Sequence, residues 1–195
     1  MKMTRLVLLT SLTVVMFIVA LNGCYSGGNP YGPGNPTPTP TPGATPTQPP
    51  SALYIDARTD KIAYNVGDEM VISVLVDQAS YLHVFDITPD GQVTRIFPNA
   101  YANNNYVQGG QTYIIPSTND RSKYILRVSE PRGTERLRIV ATLDNGNLVP
   151  ERDFSGGEFA KYNGTAAQLD QAIDQQLANL PAGSYGSVNL TFQVK

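Results

Sequence analysis

The chain has 195 residues, with 14 Lys and Arg against 16 Asp and Glu, one histidine, one cysteine, no tryptophan and 11 tyrosines. A net charge of −2 without any basic run excludes the electrostatic footprint of a nucleic-acid binder. One histidine and one cysteine are too few for a zinc centre, and a lone cysteine cannot build a disulfide framework.

Lys2 and Arg5 form a short basic start, Leu6 to Leu21 is almost unbroken apolar sequence, and Gly23 stands directly before Cys24. That order predicts a secretory leader over residues 1–23 with its cleavage site at Gly23 and Cys24. Some 16 apolar residues at about 1.5 Å each span only ~24 Å, short of the ~20 residues of a membrane-crossing helix. Leu21-Asn22-Gly23-Cys24 resembles the lipobox of bacterial lipoproteins. The resemblance implies that Cys24 is the lipid-attachment residue and becomes the new N-terminus, so that the membrane is reached through an N-terminal lipid. One acyl chain, at ~0.8 kcal/mol per buried CH₂, holds only marginally, and stable residence takes two or more. Tyr25 in place of an aspartate after the cysteine implies, by the same resemblance, the outer membrane. The expected location is therefore the cell envelope. Loss of Lys2 and Arg5 leaves 12 of the 14 cationic side chains against 16 acids, a net charge of about −4.

Residues 24–50 contain Gly27-Gly28, Pro-Thr repeats from Pro36 to Pro42, and Pro49-Pro50, with no charge and almost no aliphatic side chain. Such a segment cannot bury enough apolar surface to offset ordering entropy and is expected to be disordered. Proline fixes φ and biases the preceding residue to extended geometry, so polyproline II is the expected local state. At ~3.1 Å per residue the roughly 27 steps from Cys24 to Ser51 reach about 80 Å at most, a semi-rigid spacer.

Residues 51–195 have the length of one domain and read mostly as strands. Met70 to Val76 is apolar on both faces, as in a central strand. Asp90-Gly91 between Tyr81–Ile87 and Gln92–Phe97 predicts a hairpin. Tyr124, Leu126 and Val128 share one face of Lys123–Ser129. Leu137, Ile139, Ala141 and Leu143 repeat the pattern, with Arg136 and Arg138 facing away. Asn145-Gly146 predicts a further hairpin turn. Val188, Leu190, Phe192 and Val194 point inward along a last strand of about 186–195.

Thr165-Ala166-Ala167-Gln168 has the form of a capping box. Leu169, Ile173, Leu177 and Leu180 follow at helical spacing, Asp170 and Asp174 take the opposite side, and Pro181 and Gly183 stop the run. This predicts an amphipathic helix over about 165–180, packed on the sheets as a crossover. The expected fold is all-β: an immunoglobulin-like antiparallel β-sandwich with one C-terminal crossover helix, preceded by a signal peptide and a disordered Pro/Thr linker.

Tyr64-Asn65-Val66-Gly67-Asp68, Tyr81-Leu82-His83-Val84-Phe85, Asp90-Gly91, Ile96-Phe97-Pro98-Asn99, Gly109-Gly110, Ile115-Pro116 and Glu130-Pro131-Arg132-Gly133 follow one another in order. Taken as a set over about 53–143, they resemble the bacterial domain of unknown function 4384, found on envelope lipoproteins and appended to some serine/threonine kinases and caspase-like peptidases. The resemblance implies fold and location and carries no catalytic residue. Physically the motifs suit folding. Gly67 fits a turn that demands positive φ, Asp68 can accept from nearby amides, and Pro98 stops a strand.

The inventory for catalysis is thin. His83 alternates with Tyr81 and Phe85, the pattern of a packed or edge histidine rather than of a triad base. Glu151, Asp153 and Glu158 lie close in a Gly-containing loop, where solvated acids are ordinary and a glycosidase-type carboxylate pair is the alternative. Asp144-Asn145-Gly146-Asn147 lacks the alternating acids of a calcium loop. No catalytic residue, metal ligand or cofactor is assigned. Tyr101, Tyr106 and Tyr113, in and beside an Asn-rich loop, are the candidate interaction surface, since tyrosine combines large contact area with a polar tip. The expected function is a non-enzymatic envelope lipoprotein with an interaction or assembly module and an envelope protein partner. A glycan- or peptidoglycan-binding module and an accessory lipoprotein of a secretion apparatus are the alternatives.

Overall fold

The computed structural model describes residues 52–195. The leader, the cleavage site at Gly23, the lipid-attachment Cys24 and the Pro/Thr linker lie outside the described residues. The strands are β1 (Ile55–Thr59), β2 (Ala63–Tyr64), β3 (Glu69–Met70), β4 (Ile72–Val76), β5 (Ser80–Ile87), β6 (Val93–Phe97) and β7 (Tyr106–Val107). They continue with β8 (Thr112–Ile115), β9 (Leu126–Arg127), β10 (Gly133–Thr142), β11 (Phe154–Ser155), β12 (Lys161–Tyr162) and β13 (Tyr185–Val194), with helix α1 (Ala166–Ala178) before the last.

Alternation along β5, β10 and β13 gives the large sheet two unlike faces. Its order is β11-β12-β6-β5-β10-β13-β2, with β7 added to β5. Every pair is antiparallel except β13 with β2, where Gln193 and Val194 run parallel to Ala63 and Tyr64. The inner face presents Leu82, Val84, Leu137, Ile139, Ala141, Phe192 and Val194. These pack with Ile72, Val74, Val76 and Ile115 from the smaller sheet β1-β4-β8. Each such aliphatic side chain, fully buried, contributes about 1.5–3 kcal/mol. The result is a predominantly antiparallel β-sandwich with a single helix.

The apolar run Met70 to Val76 divides at Val71. The Val71 amide donates to Asp60 Oδ1 at 2.8 Å, and the Asp60 amide donates to the Val71 carbonyl at 3.0 Å. Met70 pairs Leu126 of β9, while Ile72 to Val76 forms the middle strand of the smaller sheet. Lys123–Ser129 keeps its predicted face, with Tyr124, Leu126 and Val128 all buried, yet only Leu126 and Arg127 form a ladder. Its beginning is a turn, closed by the Tyr124 amide on the Asp120 carbonyl.

The outer face of the large sheet carries a second apolar cluster. Phe85, Ile87, Val93 and Val140 meet Leu169, Ile173 and Leu177 of α1, and Leu148 and Val149 fill the space beside them. The capping box is complete: the Gln168 amide donates to Thr165 Oγ1, and the Thr165 amide donates to Gln168 Oε1. Because β12 lies beside β6 and β13 beyond β10, α1 is the predicted crossover. Two expectations are corrected here. Asn145-Gly146 does not turn a hairpin: β10 ends at Thr142, and the chain runs on through Leu148 and Val149, buried beneath the helix, to a 3₁₀ turn at Glu151–Asp153. Asp170 and Asp174, placed by spacing on the side opposite the apolar stripe, are turned toward the sheet, where they reach Arg136 and Arg138 of β10 at 2.7 Å each. Residues two apart on a strand are ~6.8 Å apart and four apart on a helix ~6 Å, so the two spacings match.

Gly67 has φ 95° and donates its amide to the Val128 carbonyl at 2.8 Å, the turn its position predicts. A methyl group at Gly186 would collide with the Leu53 carbonyl oxygen, so the glycine lets the start of the described chain pass close over β13. Tyr64 is buried edge-to-face against Phe192 with ring centroids 5.2 Å apart. Its hydroxyl donates to Asp60 at 2.7 Å, and burial, with Asp60 beside it, pushes its ionisation up to about 12.

Candidate functional site

The three tyrosines singled out from the sequence fall on different elements. Tyr101 follows β6, and its ring stacks on Tyr124 at 5.5 Å and leans on Phe159. Tyr113, on β8, turns its ring to Phe97 at 5.4 Å and packs on the core. Tyr106 is the exposed one, at 43%. It is held by the two-residue ladder between β7 and β5, in register with Tyr81, the two rings 5.1 Å apart. Tyrosines 81 and 106 therefore form an amphipathic platform at one end of the outer face. Asn99 organises the loop below them: its amide donates to the Ile96 carbonyl, and its side-chain oxygen accepts from the amides of Tyr101 and Ala102.

His83 lies two residues along the same face. Its half-buried ring stacks over Phe85, and the Asn105 side-chain nitrogen stands 3.2 Å from Nε2. Loss of water around the ring, followed by the nearby Arg95 guanidinium, pushes its ionisation down to about 4. The ring is then neutral at physiological pH, with Nε2 free to accept from Asn105. This is a packed histidine whose hydrogen-bond neighbour is the Asn105 side-chain amide.

Arg95, paired with Phe85 in the β5–β6 register, lies over the Phe154 ring at 4.6 Å and forks onto both carboxylate oxygens of Glu151. That hydrogen bond holds the Glu151 carboxyl below its usual range. Glu158 takes a different partner, the Tyr101 hydroxyl, whose ionisation it pushes up. Asp153 lies 3.9 Å from Arg152. The loop acids are thus separated by function. Glu151 fastens the 3₁₀ turn to β6 and Glu158 holds Tyr101, while both acids, with Arg95, Asn99 and Asn103, line a shallow cavity of about 300 Å³.

The inner face holds a pair that sequence reasoning missed. Asp86 follows Leu82 and Val84 on β5, and Glu135 precedes Leu137 and Ile139 on β10. Both therefore stand in inward register. Their carboxyls lie within hydrogen-bond reach of one another, and Asp86 Oδ1 and Glu135 Oε2 are buried without a donor from any other group. Burial, then Glu135, pushes the Asp86 carboxyl well above the ordinary carboxylate range, and burial raises Glu135 as well. An acid at the inward position of an alternating strand was the signal available in the sequence.

Residues 63–145 match the family model described as Domain of unknown function (DUF4384). No curated protein and no solved structure matches the chain. The matched stretch runs from β2 to just beyond β10, while β1, α1 and β13 complete the two sheets and the outer layer outside it. Over residues 63–145, then, this β-sandwich carries a domain resembling the DUF4384 family.

Proposed function

We propose that the protein is a non-enzymatic, lipid-anchored component of the bacterial cell envelope whose β-sandwich serves as an interaction or assembly module. The observation that carries the reading is the Tyr81–Tyr106 platform. An aromatic ring left 43% exposed, braced by a second ring and a strand ladder, offers contact area at little entropic cost. The lipobox-like Leu21-Asn22-Gly23-Cys24 and the Pro/Thr-rich segment after it support delivery of that platform on a tether. An envelope protein is the partner class the reading favours, with attachment through Cys24.

A photo-crosslinking amino acid in place of Tyr106, in cells producing the full chain, tests the surface. The reading expects one discrete adduct to an envelope protein, absent when the same probe replaces exposed Gln175 on the far side of α1. Labelling with an alkyne fatty acid tests the anchor, with incorporation expected in the native chain and none in Cys24→Ser. An unlabelled native chain, or equal adducts from both probe positions, overturns the proposal.

A further inference from the structure

Opposite the helix, the inner-face acids open into a cleft of about 300 Å³ between β5, β6, β10 and the segment around β9. Asp86 and Glu135 lie at its base, Met70, Ile96, Leu126, Val128 and Phe159 line its walls, and Thr94 and Ser129 add hydroxyls. Glu135 is only 5% exposed, and its Oε2 has no donor. Folding does not explain this arrangement, because a buried carboxylate with no cationic partner costs stability. The one cationic side chain on the lining, Arg127, is committed elsewhere: its guanidinium donates to the Gly67 carbonyl at 2.9 Å and lies 3.6 Å from Glu69.

The chemistry of the gap defines what would fill it. Two carboxyls in mutual contact ionise one at a time, so the group that complements the pair is a cation of single charge. A divalent metal takes six or more oxygens, or several side-chain ligands of other kinds. Among the described residues no third His, Cys, Asp or Glu joins these two. A monovalent organic cation needs only the two carboxyls, and the apolar walls accept a hydrocarbon stem behind its charge.

We propose that this cleft binds a primary alkylammonium group on an apolar stem, as carried by a lysine side chain of a polypeptide or by a free alkyl amine. The ammonium takes the place between Asp86 and Glu135, donating to the two oxygens that lack donors, and the stem lies along Ile96, Leu126 and Val128. The site is on the face opposite the Tyr81–Tyr106 platform and does not depend on it. Because protons compete for the same oxygens, binding weakens as pH falls and the pair takes up protons.

The test is a titration of the full-length protein with n-butylammonium, followed by the carboxyl carbon signals of Asp86 and Glu135 and the methyl signals of Ile96, Leu126 and Val128. Saturable shifts at both sets are expected, and none with the neutral analogue N-butylacetamide. Glu135→Gln should weaken binding at least tenfold without lowering the melting temperature. Asp86→Asn serves as the second variant if the first does not fold. Repeating the titration with a blocked lysine peptide and with 1,5-diaminopentane separates the sources: tighter binding of the peptide assigns a polypeptide ligand, tighter binding of the diamine a free amine. Absence of saturable binding by all three amines, or undiminished binding by both variants, overturns the proposal.

Discussion

Strands β5 and β10 carry charge on both faces of the large sheet, and the two faces treat it in opposite ways. On the outer face Arg136 and Arg138 each meet an aspartate of α1, and Arg136 also donates to Asn189. On the inner face Asp86 and Glu135 meet each other and no cationic side chain. The outer arrangement is explained by folding: opposite charges brought together by matched helix and strand spacing. The inner one works against folding, and that difference separates a structural charge from one that awaits a ligand.

Breaking the outer face should produce the largest effect. Ile173→Ala leaves a void between α1, Phe85 and Val140 and is expected to cost about 2–5 kcal/mol, read from urea unfolding. The inner pair should respond in the other direction. Glu135→Gln removes one of two buried acids that have no cationic partner and is expected to raise stability at pH 7 by about 1–2 kcal/mol. The pH dependence has a definite sign. Folding raises the Asp86 pKa above its usual 3.8, so the native state holds its proton more tightly than the unfolded chain. The contribution of this pair to stability is therefore fully present below the ordinary carboxylate range and is lost as pH rises through the titration of the pair. In Asp86→Asn that fall should shrink, as thermal melts across pH would record.

The helix–strand ion pairs rank next. Asp170→Asn should cost about 1 kcal/mol, because both side chains are mostly shielded, at 26% and 30% exposure. Asp174→Asn should cost about 0.5 kcal/mol or less, since Asp174 is 64% exposed, and both effects should diminish at high salt. The smallest effect is a spectroscopic one. With a single histidine in the chain, the imidazole signal belongs to His83, and it should titrate at about 4 rather than 6.5. Its folded value lies below the unfolded one, so the stability that neutral His83 contributes is lost as pH falls from about 6.5 to 4.

Period-2 patterning along β5, β10 and β13, the Asp90-Gly91 hairpin and the Thr165–Gln168 capping box were legible because each rests on neighbours close in sequence. What lay beyond reach depends on partners far along the chain. Arg136 and Asp170 are 34 residues apart, and nothing local says that the arginine meets the helix. The same limit applies to the aromatic residues. An Asn-rich run announces a loop without saying which rings turn inward, so Tyr101, Tyr106 and Tyr113 look equivalent until Tyr124, Tyr81 and Phe97 are found beside them. Leu143, in phase with Leu137 to Ala141, ends up 37% exposed because β10 stops one residue earlier. The inward acids were readable from register alone. Only the third dimension shows that no cation comes to meet them.

The position of β13 has a bearing on how the molecule comes into being. Its ten-residue ladder with β10 is the longest in the structure, and its far edge holds β2, so an interior stave of the large sheet comes from the most C-terminal element. A chain emerging N-terminus first can display β5, β6 and β10 but cannot close the wall until residues 185–194 arrive. The large sheet is therefore held together by pairings between segments far apart in sequence, the slowest kind to form.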